Sequence, residues 1–566
     1  MKRTLLTAML VLGLPAAGAH AAPLQQSILM DDSEIVYQTP ENVDTTFAQL
    51  KALGVDTVRV SVYWRLVAPA ADTTTKPAFD AADPAAYPAE NWTRYDNIVT
   101  LAQKHGLRPF FSLTSPAPLW ATGPAPREDI KKTFDPSAAE FQAFTTAVGK
   151  RYAGDYRLPS TQPTAPPKPL IGEAPPPPAP VPGNILPRVD MWSFWNEPNH
   201  PGWLTPSWLP DPRSSHRPLV MAAARIYRGL ADAGWAGLAA TGHSSDTVLM
   251  GETAPRGLEQ RALTRPIKPL DFIREVYCLD RSFKPFNGGE AQVRGCPVDR
   301  AGQSRFSTEH PGLFENAGWA HHPYALESPP LRPDRVKDNV TIADLPRITK
   351  TLDRAYGRYG KAKKPPIYLT EYGYQTNPPD PTIGVSYSRQ ADYLAQAEHV
   401  AFRNGRIAST AQFLLKDDGP LTEFPVRDPR YWGTFQSGLL NNQGAKKSAF
   451  EDYQRTVDVQ PRRPKRGSKL RIWGVLRSAA NGSALGVKVQ FSRTGKSGWR
   501  TVGRPATVTN PRGNFNMSVK FTRNGSYRLV WTDPAAGAPV VTRAVAVKRA
   551  APKKKRSTRR KAPARR

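Results

Sequence analysis

Hydrophobic positions along most of this chain alternate between two spacings. Residues 26–30 read as a short strand running into Asp31-Asp32, and Val43, Phe47 and Leu50 form a helical stripe that stops at Gly54, a helix-ending residue. Val58, Val60 and Val62 then alternate with Arg59, Ser61 and Tyr63. In a strand that spacing puts the valines on one face and Arg59 on the other. If helices cover the valine face, Arg59 points into the middle of a closed sheet.

The same two spacings recur. Trp92, Tyr95, Val99 and Ala102 make a helix closed by Gly106, and residues 107–113 make a strand. Asp135-Pro136 reads as a cap and first helical residue ahead of Phe141, Phe144, Val148 and Tyr152. Further strands are expected at 191–195, 237–241 (ending in Gly242-His243), 319–324, 366–369 and 411–415. Helices are expected at 219–233, 271–278, around Ile348, at 387–402 and around Phe450. Eight strand–helix units predict an α/β fold, a (β/α)8 TIM barrel. A doubly wound sheet is the alternative, but no glycine-rich phosphate loop follows the first strand. The proline-rich tract 159–187 lies between a helix and a strand, which places it on the face opposite a barrel's active site.

Beyond residue 460 the texture changes. Short alternating runs such as Val487-Lys488-Val489-Gln490-Phe491, with Asn481-Gly482 and Asn524-Gly525 turns, predict a small antiparallel β-sandwich. The expected organisation is a signal peptide at 1–21, a barrel domain at 22–460 and a linker at 461–469. A β-sandwich (Ig-like) domain at 470–548 and a disordered basic tail at 549–566 complete it. The leader is basic, then apolar, and ends in Ala19-His20-Ala21; its apolar run is too short to span a membrane. Secretion without a membrane anchor follows. In an exported chain the two cysteines, Cys278 and Cys296, are expected to form a disulfide worth about 3 kcal/mol.

Charge is unevenly spread. From residue 461 on there are 28 Lys and Arg and one acid, Asp533, whereas the first 460 residues hold 50 bases and 47 acids. Because the chain is read as exported and has no recognisable nucleic-acid reader, an anionic wall polymer or acidic polysaccharide is the expected partner of the basic part; no nucleic acid is.

Two apolar runs end in a carboxylate: Met191-Trp192-Ser193-Phe194-Trp195-Asn196-Glu197-Pro198-Asn199 and Ile367-Tyr368-Leu369-Thr370-Glu371-Tyr372-Gly373. An acid at the edge of a core needs a partner or a task. Counting strands puts Glu197 after the fourth and Glu371 after the seventh. These segments resemble the two signature segments of the clan A retaining glycoside hydrolases, with families 39 and 5 nearest in pattern. The resemblance spans roughly residues 25–458. It implies a carbohydrate substrate, a double displacement with Glu197 as acid/base and Glu371 as nucleophile, no cofactor and no metal. It also implies that Asn196 binds the sugar 2-hydroxyl.

Arg59, pointing inward, would keep Glu371 ionised. His322-Pro323-Tyr324 resembles the His-x-Tyr that clan members carry after strand six, with Tyr324 donating to Glu371 and His322 beside the acid. His321 reads as structural, and His243 is an open position after strand five. Trp64, Trp120, Trp203, Trp208 and Trp432 follow strand ends, and sugars stack on aromatic rings; Trp64, Trp120 and Trp432 are the candidate platforms. Strand eight departs from the pattern, with Phe413-Leu414-Leu415-Lys416 where many relatives carry tryptophan. Asp417 and Asp418 read equally as sugar contacts or a solvated turn. A catalytically silent, wall-associated carbohydrate-binding barrel is the rival reading.

Overall fold

The computed structural model describes residues 24–159, 183–216, 218–477, 484–533 and 537–551. The leader, most of the proline-rich tract and nearly all of the basic tail lie outside the described residues.

Eight parallel strands close into a barrel in chain order: Gln26–Met30, Thr57–Tyr63, Arg108–Thr114, Met191–Phe194, Thr247–Thr253, Gly318–His321, Ile367–Leu369 and Ile407–Phe413. The first pairs with the last, Gln26 beside Ser409. Alternation sorts the side chains as expected. Val58, Val60 and Val62 join the large apolar cluster shared with the helices. Ile28, Phe110, Met191, Leu249 and Ala320 form a separate cluster of inward-facing residues. This apolar plug lies beneath Arg59, whose guanidinium sits 5.9 Å from the Phe110 ring centre.

The helix Pro40–Leu53 starts on Thr39, whose hydroxyl accepts from Asn42 N, and ends at Gly54 with φ +80°. Helix Tyr387–Phe402 has the predicted bounds. Three expectations change. Residues 237–239 belong to helix Ala223–Ala239, and the fifth strand lies further on, at Thr247–Thr253. Residues 219–221 are a strand pairing with Trp208–Pro210 rather than the start of that helix. Ser137, not Asp135, caps helix Ala138–Arg151, its hydroxyl accepting from Glu140 N. Cys278 and Cys296 are joined as a disulfide.

The C-terminal part is two antiparallel sheets sharing one core, from Val457 and Ile472 to Leu529 and Val547. Its first strand, Arg455–Gln460, pairs with Lys469–Leu476, so the sheet begins ahead of residue 461. It packs beneath the barrel, against the ends where the first two strands begin. Arg477 pairs with Glu398 at 3.0 Å, Arg543 with Asp452 at 2.6 Å, and Arg512 with Asp56. The His399 ring stacks on Trp473. A Cβ on Gly54 would come within 2.4 Å of the Arg477 Cβ, so this junction needs glycine as well as the turn does.

Candidate active site

Above the apolar plug the strand ends converge on Arg59, which is fully buried. Its Nη1 donates to Glu371 Oε1 at 2.7 Å and its Nη2 to Asn196 Oδ1 at 2.8 Å, while Nε faces Glu252 Oε1 at 3.4 Å. Tyr324 OH donates to Glu371 Oε2 at 3.0 Å. His322 Nδ1 lies 3.0 Å from Glu197 Oε1 and 3.5 Å from Glu371 Oε2. Glu197, His322 and Glu371 each present a polar atom within 4.8 Å of the other two. Six of the sequence-derived candidates, Arg59, Asn196, Glu197, His322, Tyr324 and Glu371, are thus brought together.

Glu252, at the end of the fifth strand, was not anticipated. It is wholly buried and accepts from His322 Nε2 at 2.8 Å and from Thr370 Oγ1 at 2.6 Å. Leu249 faces the barrel interior, so strict alternation would turn residue 252 outward, toward the helices. The register slips between Met250 and Thr253, with Gly251 at φ +107° and Glu252 at φ +46°. A bulge of this kind re-aims a side chain, and here it swings the carboxylate inward. The readable signal was an apolar run ending in Gly-Glu-Thr, the same form as the other two carboxylate strands.

Burial raises the Glu252 carboxyl, but Arg59 and His322 more than reverse this and hold it at about 2. Burial lowers His322; the Glu371 charge and the hydrogen bonds to Glu197 and Glu252 raise it to about 10. Burial raises Glu371 above the usual carboxylate range despite His322 and Arg59. Glu197 is also pushed up by burial, yet its hydrogen bond from His322 brings it below that range. Two cations, Arg59 and His322, face three carboxylates, so the cluster is neutral when one proton resides on the Glu197–Glu371 pair; the charges of Glu197 and Glu252 add to burial in raising Glu371.

Other candidates fall elsewhere. Trp64 is completely buried, stacked on Phe144 and edge-on to Trp120; it cannot offer a ring to a sugar, which corrects its assignment as a platform. It opens the short helix Trp64–Val67, and its ring packs on helix Ala138–Arg151 through Phe141 and Phe144. Trp120 is half-buried against Phe79 with its indole nitrogen donating to Pro69 O, and Trp432 is half-buried beside Tyr431. His243 precedes the fifth strand and holds Asp246 Oδ2 and Gly149 O, at the opposite end of the barrel. His321 is structural, its nitrogens facing the Thr253 hydroxyl and Val340 O. Asp417 is neither a sugar contact nor a solvated turn: it is buried against Lys447 at 2.6 Å. Phe413, on strand eight, meets the Tyr324 ring edge-on and extends to the exposed Phe435.

Glu197, His322 and Glu371 are spaced closely enough to ligate a metal ion. Both His322 nitrogens already face carboxylates, however, and Glu371 already accepts from Arg59 and Tyr324. A further cation there would compete with a guanidinium.

No known protein family matches the chain, and no curated protein does. Among solved structures it is similar to a glucosidase from Croceicoccus marinus, at 13% identity and a TM-score of 0.42, covering 94% of each chain. It is also similar to a GH5_18 protein from Streptomyces cattleya solved with GlcNAc, at 12% and 0.41, covering 76% of this chain and 79% of that one. A family 1 β-glucosidase from Thermotoga maritima aligns at 12% and 0.39, covering 72% and 84%.

Proposed function

We propose that the chain is a secreted retaining glycoside hydrolase that cleaves O-glycosidic bonds of an oligo- or polysaccharide. The spacing of Glu197 and Glu371, with facing atoms within 4.8 Å, carries this reading. Double displacement places its two carboxyl groups about 5–5.5 Å apart, whereas inversion needs about 6.5–9.5 Å to admit a water. In the first step a Glu371 oxygen attacks the anomeric carbon as the bond to the leaving oxygen breaks, and that oxygen takes the Glu197 proton. Water then attacks the same carbon, gives a proton to Glu197 and releases Glu371. Arg59 and Tyr324, donating to separate Glu371 oxygens, favour its ionised form once a sugar's positive charge develops opposite it. Reaction then requires the proton to pass from Glu371, where burial favours it, to Glu197, which His322 holds from the side. Asn196, fixed by Arg59, would bind the sugar 2-hydroxyl, and Phe413 with Phe435 would serve as the apolar platform in place of a strand-eight tryptophan.

The wild-type protein is expected to hydrolyse members of an aryl glycoside panel, with NMR of the first-formed sugar showing the starting anomeric configuration. Inversion would overturn double displacement. Binding of sugars without any turnover would favour the silent carbohydrate-binding barrel.

The basic C-terminal sheets fit an anionic wall polymer or acidic polysaccharide. Lys488, Arg493, Lys496, Arg500 and Arg504 stand exposed on one strand, its neighbour and their turn. The full chain is expected to be retained on immobilised polygalacturonate at low salt. It should elute toward 1 M, where the screening length is about 3 Å. Retention that ignores salt would refute an electrostatic attachment.

A further inference from the structure

Glu252 touches the site from four directions. Its carboxylate faces His322 and Arg59 and accepts from Thr370, the residue before Glu371. Its own carbonyl accepts from Glu197 N at 2.9 Å, so the two backbones are tied at the point where both residues take positive φ. A bulge and two left-handed residues, one of them not glycine, are needed to bring this side chain inward. Such strain persists where the surroundings over-determine it, and it clusters at working sites.

We propose that Glu252 is a positioning residue for the acid: it fixes His322 as the donor-bearing partner of Glu197 and so sets the proton supply of that glutamate. The inference rests on the reading of Glu197 as acid/base. An ionised Glu252 can only accept, so His322 must carry a proton on Nε2. That leaves Nδ1 facing Glu197 in one of two forms. If Nδ1 is protonated it donates to the Glu197 carboxylate. A bare Nδ1 would require a neutral ring and a donating Glu197, and the three carboxylates that raise His322 favour the first form. The pair thus retains one proton, ready for the leaving oxygen, and regains one when water is deprotonated. The imidazole is also faced by Glu371 and the Tyr324 ring, with His321 next to it and Arg59 across Glu252. Among these, Glu252 is the carboxylate on the nitrogen remote from both proposed catalytic glutamates.

A hub that served stability alone would not govern the histidine's titration. Histidine-selective NMR of the full chain, with the His322 signals assigned by their loss in His322→Gln, is expected to show a wild-type imidazole charged well above its ordinary pKa. In Glu252→Gln it should titrate about 1–3 units lower. Glu252→Asp, which keeps the charge, should restore part of the shift. Kinetically, Glu252→Gln should move the alkaline limb of kcat/KM downward and penalise poor leaving groups more than activated ones. A wild-type His322 that titrates at or below its ordinary value would overturn the proposal, and this holds even if the variants do not fold. So would a His322 titration unchanged by Glu252→Gln. An inactive wild type would sink the hydrolase reading without altering the NMR result, so the two failures are distinguishable.

Discussion

Glu371→Ala is expected to lose turnover by on the order of 10^6-fold, the scale seen when an enzyme's nucleophile is removed. Added azide should restore part of it by occupying the vacated space and attacking the same carbon. Glu197→Gln should behave differently. Loss of a general acid costs about 10²–10⁴-fold, and the cost vanishes when the leaving group departs without protonation. Dinitrophenyl glycosides should therefore remain competent for the first step in Glu197→Gln, while alkyl glycosides should not. Steady-state and burst kinetics over a leaving-group series read both effects. Turnover that survives loss of Glu371 would eliminate double displacement, and identical leaving-group profiles in the two variants would eliminate the division of labour.

Arg59→Leu should destabilise the barrel by about 3–5 kcal/mol, because it strands buried carboxylates rather than because it removes a favourable pair. Glu371 loses its closest donor, Glu252 its guanidinium and Asn196 its anchor. Arg59→Lys should rescue little, since one ammonium cannot reproduce a fork that reaches three partners. The loss should also depend on pH. Glu252, held at about 2 in the folded chain, contributes stability that is present above its unfolded value near 4.5 and disappears as pH falls toward 2. The gap between wild type and Arg59→Leu is therefore expected to narrow over that acid window, as read by urea denaturation at successive pH values. A gap that is constant down to pH 2 would assign the damage to packing.

The legible parts of this site share one trait, a period that the backbone obeys. Arg59 was readable as inward because three valines on alternate positions claimed the other face. Glu197 and Glu371 were readable because each interrupts an apolar run at the strand's end. Glu252 was hidden twice over. Residues 237–241 imitate a strand but are the last turn of a helix and the turn that follows it, so the fifth strand lies further on. The slip at Gly251 then reverses the face that alternation assigns. Trp64 failed for a related reason. Position after a strand end does not specify direction, and a four-residue helical turn buries the ring among Trp120, Phe141 and Phe144. Local spacing carries the barrel, and departures from it carry part of the chemistry.

The arginines that clamp the sandwich to Asp56, Glu398 and Asp452 have a geometrical result. They attach the cationic part to the floor of the barrel, on the side away from the strand ends that carry Glu197 and Glu371. A molecule tethered through those sheets would present its mouth outward, away from the polymer holding it. It would then process chains arriving from solution or from a neighbouring layer, and leave its own mooring uncut.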